Sequence, residues 1–424
     1  MPLQHVGAPL FAGLGLGLAA GMAMTAGGPL AALTDLLPVL HSPFELPLAL
    51  LVIAIAAAFA PKAAKAGSLP ADIVPVTLTG DEKKDFVAVF RALNAELLDS
   101  IEQYKLPPRT KDYMKRMIDY NVPHGKLTRG LTTISTLRSL KGDAPLSATD
   151  YRRAAVLGWA VEWLQAMFLV MDDIMDASET RRGQPCWYLQ EDVKLNAIND
   201  GLLLEAQIYV LLKKYFGGEE VYVPLLELMH EVTHQTALGQ FLDLTTSEGH
   251  AGGKVDFSLF SMAVYKDIVV YKTAFYSFYL PVALGMRLAG ITDPTLYVQA
   301  RAICVEMGEM FQVQDDYLDC YGDPQVTGKV GTDIRDNKCS WLINTALPIA
   351  SDKQRNVLEA NYAKKSDGAE RAVRTVFDEL DIVGKFRAYE DAANARVLEM
   401  IAQVHGMPTT IFTMLLAKIY KRNK

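Results

Sequence analysis

Beyond residue 81, apolar side chains recur every three to four positions, the spacing that lays one face of an α-helix against a core. This periodicity predicts helices over 85–98, 154–175, 195–215, 222–244, 267–288, 295–321 and 391–420. Pro107-Pro108, the Gly183 to Pro185 turn, Gly217-Gly218, Gly252-Gly253 and Asp323-Pro324 punctuate them. No series of alternating β-branched segments competes, so the expected fold class is all-α.

The first 65 residues follow a different pattern. Residues 6–34 carry no charge and are rich in Leu, Ala and Gly, and 46–60 form a second apolar run ahead of Lys62 and Lys65. At about 1.5 Å per residue the first run is long enough for a hydrocarbon core of roughly 30 Å, whereas the second needs its flanks. Gly13, Gly17 and Gly21 recur at a spacing that lets membrane helices approach closely. Three readings compete: a membrane anchor through residues 6–60, a cleaved signal or targeting segment, and an apolar leader. A signal peptide lacks its basic start here, and a mitochondrial transit peptide is disfavoured because the first arginine is Arg91. As an anchor, the extension would put the following domain on the cytoplasmic side, with organelle targeting left open. The expected organisation is therefore an extension (1–65), a Gly/Pro/Ser/Thr linker (66–80) and one helical domain (81–424).

The chain has 424 residues, 50% of them hydrophobic, ample for a large core, and its net charge of −7 argues against nucleic acid as a partner. Cys186, Cys304, Cys320 and Cys339 are widely spaced, with no CxxC, which fits reduced thiols.

The chemistry concentrates in two acidic pentapeptides. Asp172-Asp173-Ile174-Met175-Asp176 precedes Arg181-Arg182-Gly183-Gln184. Asp315-Asp316-Tyr317-Leu318-Asp319 follows Gln312 and precedes Thr327-Gly328-Lys329 and Asp336-Asn337-Lys338. Aspartates at i and i+4 of a helix share a face. One such triplet is ordinarily a solvated surface. The apolar run 166–171 and Met310-Phe311, however, put both sets at the ends of buried helices, where carboxylates repel unless cations neutralise them. Two oxygen-rich faces suit a hard cation such as Mg2+, and the basic residues downstream suit a phosphorylated substrate.

Lys126-Leu127-Thr128-Arg129-Gly130, Gln165, the first acidic motif with its arginines, Gly239-Gln240-Phe241-Leu242-Asp243, Tyr271-Lys272-Thr273, and the second motif with its lysines stand in this order along the chain. In that order they resemble the trans-prenyltransferases, the short-chain trans-isoprenyl diphosphate synthases, and most of all the farnesyl diphosphate synthase family. The resemblance runs from about residue 81 to the C-terminus. It implies a bundle of about ten core helices around a central cavity, a homodimer, and head-to-tail condensation of isopentenyl diphosphate with an allylic diphosphate for sterol and isoprenoid biosynthesis. Three Mg2+ ions would bridge the motifs, with Asp172, Asp176 and Asp315 as ligands. Asp173, Asp319, Gln240 and Asp243 would stand behind them, and Asp316 is unassigned. Arg181, Lys272, Lys329 and Lys338 would hold the allylic diphosphate. Thr273, Gln312 and the Lys272 carbonyl would face positive charge on carbon, and the departing diphosphate would take the proton. Lys126, Arg129, Gln165 and Arg182 would bind isopentenyl diphosphate, and the basic C-terminal tail would close over them. His124 stands where relatives often carry Gly.

Chain length in this family is set one turn before the first aspartate, here Met167 and Phe168. One aromatic and one flexible thioether favour a C15 product with some C20; a geranylgeranyl diphosphate synthase or a mixed C15/C20 producer is the alternative. More remote are a class I terpene cyclase, disfavoured by the intact second motif, and a non-catalytic subunit. His230-Glu231-Val232-Thr233-His234 also matches the zinc-protease HExxH pattern, without the downstream third His of one protease class.

Overall fold

A computed structural model describes residues 74–142, 144–247, 255–323, 326 and 331–422. The N-terminal extension, the first part of the expected linker, Lys329 and the last two residues lie outside the described residues.

Fourteen α-helices fill the described chain: α1 Glu82–Ser100, α2 Pro108–Asn121, α3 Thr128–Leu140, α4 Ala148–Met175, α5 Asn196–Phe216, α6 Tyr222–Ser247, α7 Met262–Val269, α8 Leu280–Leu288, α9 Pro294–Tyr321, α10 Trp341–Ala346, α11 Asp352–Asn361, α12 Asp367–Glu379, α13 Ile382–Ala402 and α14 Thr410–Ile419. One two-residue hairpin interrupts them, Thr180–Arg181 against Gln184–Pro185. Its turn residues Arg182 and Gly183 both have positive φ (55° and 76°), as a primed hairpin turn demands.

The all-α expectation matches this architecture, although the periodicity does not mark α2, α3, α10, α11 or α12, and two of the helices it does mark differ. The predicted helix 391–420 is two helices, because the chain turns at Gly406 (φ 83°) and Pro408 cannot donate a backbone hydrogen bond. The helix predicted over 267–288 starts earlier, and its middle, Val270–Tyr279, is π-helical. Helix α3 escaped the periodicity because it is rich in Thr and Ser. Those hydroxyls are buried, and Thr132 and Thr136 donate to the carbonyls four residues back, at 2.7 and 2.8 Å.

The end of the expected linker is not a free tether. Val74 is buried, and Thr79 and Gly80 donate backbone N–H groups to the Asp85 carboxylate at 2.7 and 2.9 Å.

Helix α4 runs through the middle of the larger apolar cluster. Trp159 stacks on Phe86 of α1 with ring centres 4.4 Å apart and meets Trp163 edge-on at 6.0 Å; both indole N–H groups find buried acceptors. Gly130 of α3 and Gly158 of α4 let these helices touch, since a Cβ on Gly158 would lie 2.5 Å from the Gly130 carbonyl oxygen. A second apolar cluster, including Tyr265, Val313, Trp341 and Phe386, sits beneath the C-terminal end of α9. Helix α4 and the stretch 262–288 are long and apolar enough to cross a membrane, yet both are mostly buried inside the fold, as core helices are.

Candidate active site

Gln165, Phe168, Asp172 and Asp176 follow one another along α4 and its C-cap at steps of three and four, so they share a face. The carboxylates at its end meet lysines from two other elements. Lys272, in the π-helical segment, donates to Asp243 of α6 at 2.7 Å and lies 3.2 Å from Asp172 Oδ1. Lys338, in the loop before α10, donates to Asp176 at 2.9 Å and to Asp243 at 3.0 Å. Arg181 folds back from the hairpin to donate to Asp173 at 2.6 Å, with Asp172 at 3.4 Å. Close packing makes this convergence: a Cβ on Gly239 would lie 2.1 Å from the Lys272 backbone nitrogen.

The electrostatics follow from burial against these partners. Burial works to raise the Asp243 carboxyl, but the Lys272 and Lys338 ammonium groups outweigh it and hold it at about 2. Asp172 likewise lies below its ordinary value, since Lys272, Lys338 and Arg181 overcome its desolvation. Asp176 is raised, by burial and then by the Asp172 charge beside it. Lys338 is raised because Asp243 and Asp176 outweigh its burial.

The second acidic motif is organised differently. Thr273 donates to the Gln312 carbonyl oxygen at 3.0 Å, and the Gln312 amide donates to Asp316 at 3.0 Å. Asp316 also accepts the Trp341 backbone N–H at 2.8 Å, which makes it a buried brace for Gln312. Asp319 accepts the backbone N–H groups of Thr332 and Asp333, shaping the loop that leads to Lys338. Asp315 carries an arginine from the C-terminal tail: Arg422 donates to it at 2.5 Å, to Gln314 at 3.0 Å, and lies 3.9 Å over the Phe311 ring. The adjacent residues Lys272 and Thr273 thus serve the two motifs separately.

Basic residues gather at the other end of the α4 face. Arg129 of α3 donates to Ser277 at 2.8 Å and lies 4.9 Å over the Tyr276 ring. In the amide orientation that gives both groups partners, Gln165 accepts from Arg129 at 3.0 Å and donates to Glu162 at 3.0 Å. Arg182 is pushed below its ordinary value by burial, with Arg129 and Arg181 adding to it. Cations crowded this way make a pocket for an anion. Lys126 is exposed at the turn ahead of α3. His124 sends Nε2 to the Asp119 carbonyl at 2.8 Å, capping the last turn of α2.

Met167 is buried, and Phe168 packs on Tyr276 with ring centres 6.1 Å apart. Gln240 is buried on α6, its amide nitrogen without a partner among the described residues. His230 and His234 are exposed on α6, and His230 stacks on Tyr209 at 4.3 Å, so the HExxH pattern lies on a surface. All four cysteines are buried, unpaired thiols. Glu162, Tyr276 and the Arg422 contact were not read from the sequence; an acid one turn before Gln165 inside an apolar helix was the available signal for the first.

The carboxylates are hard oxygen donors that suit a divalent cation. Asp172 Oδ1 is buried with no aligned hydrogen bond, which leaves it a lone pair for such a partner. Among the described residues no three His, Cys, Asp or Glu side chains converge on a ready-made cation site, because the lysine and arginine heads stand between the carboxylates.

A family model described as polyprenyl synthetase matches residues 111–380. The farnesyl pyrophosphate synthase of Candida albicans is 47% identical over 347 residues, covering 81% of this chain and 98% of that protein. The enzyme of the same name from Gallus gallus is 46% identical over 344 residues, covering 81% and 93%. The solved structure of T. brucei farnesyl diphosphate synthase complexed with risedronate superposes with a TM-score of 0.74 at 36% identity, covering 81% of this chain and 100% of that one. One carboxylate–lysine cluster at the first motif, a second acidic motif braced by Gln312 and Arg422, an anion-attracting arginine group and this likeness along nearly the whole described chain lead to one conclusion: the chain belongs to the polyprenyl synthetase family, among its farnesyl pyrophosphate synthases.

Proposed function

We propose that the protein condenses isopentenyl diphosphate with dimethylallyl and then geranyl diphosphate to give farnesyl diphosphate. One observation carries this reading. A single face of α4 runs from an arginine-rich end at Gln165, past the apolar Phe168, to the carboxylates Asp172 and Asp176. That order suits two diphosphates held at separate places, with hydrocarbon between them.

Three Mg2+ ions held by Asp172, Asp176 and Asp315 would supply Lewis-acid pull on the allylic diphosphate. Lys272, Lys338 and Arg181, which stand on these carboxylates, would hold the diphosphate oxygens together with Lys329. The Arg181 fork would grip it in two places and the lysines act as point charges. Thr273 donates its hydroxyl hydrogen bond to Gln312, so its oxygen lone pairs are left to face a developing allylic cation. Lys126, Arg129, Gln165 and Arg182 hold the isopentenyl diphosphate. The new carbon–carbon bond joins the allylic carbon to the isopentenyl double bond, and the departing diphosphate takes the proton released. Asp173, Asp243, Asp319 and Gln240 position these groups without touching substrate.

We also infer a homodimer. Ile198, Leu202, Ala206 and Val210 form an exposed stripe on α5 at four-residue spacing, and Leu238 and Phe241 are exposed on α6. Such a stripe suits a second copy of the chain. The N-terminal extension we assign to membrane attachment, with the catalytic part on the cytoplasmic side. A fluorescent fusion of residues 1–75 tests this, and a wholly soluble fusion would overturn it.

The assay for the reaction is incorporation of labelled isopentenyl diphosphate into acid-labile product with dimethylallyl diphosphate and Mg2+. Turnover that chelator abolishes supports the reading; no incorporation with folded protein overturns it. Lys338→Ala should retain the fold and lose turnover by about a hundredfold, as removal of one charged contact to a developing anion does.

A further inference from the structure

Glu162 lies on α4 one turn before Gln165, and only 3% of its surface is exposed. A carboxylate buried so deeply in an apolar helix persists only when its lone pairs are satisfied. Here both oxygens are engaged. Oε1 accepts the Gly130 backbone N–H at 2.8 Å, in the first turn of α3, where an acid also complements the helix dipole. Oε2 accepts the Gln165 amide at 3.0 Å, and the Gln165 oxygen in turn accepts Arg129 at 3.0 Å. Burial raises the Glu162 carboxyl above its ordinary value, while the Gly130 N–H and the charges of Arg129 and Arg182 work against that rise.

Arg129 only donates hydrogen bonds, so the Gln165 oxygen faces it and the Gln165 nitrogen is left facing Glu162 Oε2, which accepts. The same carboxylate ties down the backbone of the turn that carries Lys126 and Arg129. We propose that Glu162 is a positioning residue for the isopentenyl diphosphate subsite, setting the amide of Gln165 and through it the guanidinium of Arg129. This rests on the assignment of that subsite made above.

Glu162→Gln keeps the shape but adds a donor. Its carbonyl can still take the Gly130 N–H, but its nitrogen then faces the Gln165 nitrogen. Gln165 must turn over and present a donor to Arg129, or leave.

Steady-state kinetics of Glu162→Gln should show KM for isopentenyl diphosphate raised about tenfold, the scale of one lost charge-assisted hydrogen bond. The allylic KM and kcat should stay within about twofold, since uniform binding to one substrate is what is lost. In a Gln165→Ala background, the added effect of Glu162→Gln should fall below about twofold, because the residue acts through that amide. Glu162→Asp, too short to reach both partners, should behave like Glu162→Gln. Thermal melting of each variant keeps a folding defect apart from a binding one. An unchanged isopentenyl KM, an equal loss on both substrates, or full additivity with Gln165→Ala overturns the inference. Wild-type incorporation of isopentenyl diphosphate reports separately on the subsite assignment, so the two can fail independently.

Discussion

At the scale of single residues, the site neutralises itself. Lys272 and Lys338 share Asp243, and each reaches one aspartate of the first motif. Asp243 is therefore the carboxylate whose charge matters most to the resting fold. Its folded value of about 2 lies below the ordinary 3.8. The stabilisation is fully present above that ordinary value and is lost as pH falls toward 2. On this basis Asp243→Asn should cost about 2 kcal/mol at pH 7. Urea denaturation at pH 7 and at pH 3 checks it: the gap between wild type and variant should narrow at the lower pH, and an equal gap would contradict the assignment. Met167 is the second residue-scale test. Its thioether is the flexible half of the pair one turn before Asp172, so Met167→Phe should raise the C15 to C20 ratio by a few-fold, read by product chromatography. A shift toward C20 would reverse the roles assigned to these side chains.

At the scale of elements, the π-helical segment Val270–Tyr279 joins the halves of the site. It sends Lys272 to the first motif, Thr273 to the second, and Tyr276 and Ser277 to Arg129. It can do so because α6 offers no side chain at Gly239. Gly239→Ala would press a methyl into the Lys272 and Tyr271 backbone, with contacts of 2.1 and 2.5 Å to relieve. We expect a stability loss of about 1–3 kcal/mol together with a kcat that falls more than either KM. Melting temperature and kinetics measured on the same preparation test this, and a variant indistinguishable from wild type would show that the two elements move apart freely.

How far the elements could be read in advance follows the same physics. The apolar period gave α5 and α9 to within a residue and the bodies of α4 and α6, though α4 starts earlier, at Ala148, and α6 runs on to Ser247. It could not see the π-helical register, whose residues keep a helical apolar spacing. It joined α13 to α14 because both sides of the Gly406–Pro408 break are apolar. It passed over α2, α10, α11 and α12, and over α3, whose Thr and Ser look like loop until their hydroxyls are seen turned back onto the helix. The site was legible because charged side chains that close together, in helices that buried, have few structural uses. Glu162 and Arg422 were less legible: their partners, Gly130, Gln165 and Asp315, are set by how α3, α4, α9 and the tail pack, and no spacing along the chain encodes it.

At the scale of the whole molecule, α4, α9, the π-helical segment and the buried face of α6 carry the chemistry, while α5 and the other face of α6 turn apolar side chains outward. Phe241 is 64% exposed and Leu202 58% exposed, and the proposed homodimer would cover them. Leu202→Glu with Phe241→Glu should convert a dimer to a monomer in sedimentation equilibrium, and a dimer that survives both charges would place the interface elsewhere. In the proposed function, the arginine-rich and aspartate-rich ends of one α4 face serve two diphosphates. The most direct test of that claim is the product made by purified protein from isopentenyl and dimethylallyl diphosphates with Mg2+, resolved by chain length after dephosphorylation. The account predicts farnesol as the main alcohol, with a minor C20 component; no chain extension at all, or products mainly of C20 and longer, would contradict it.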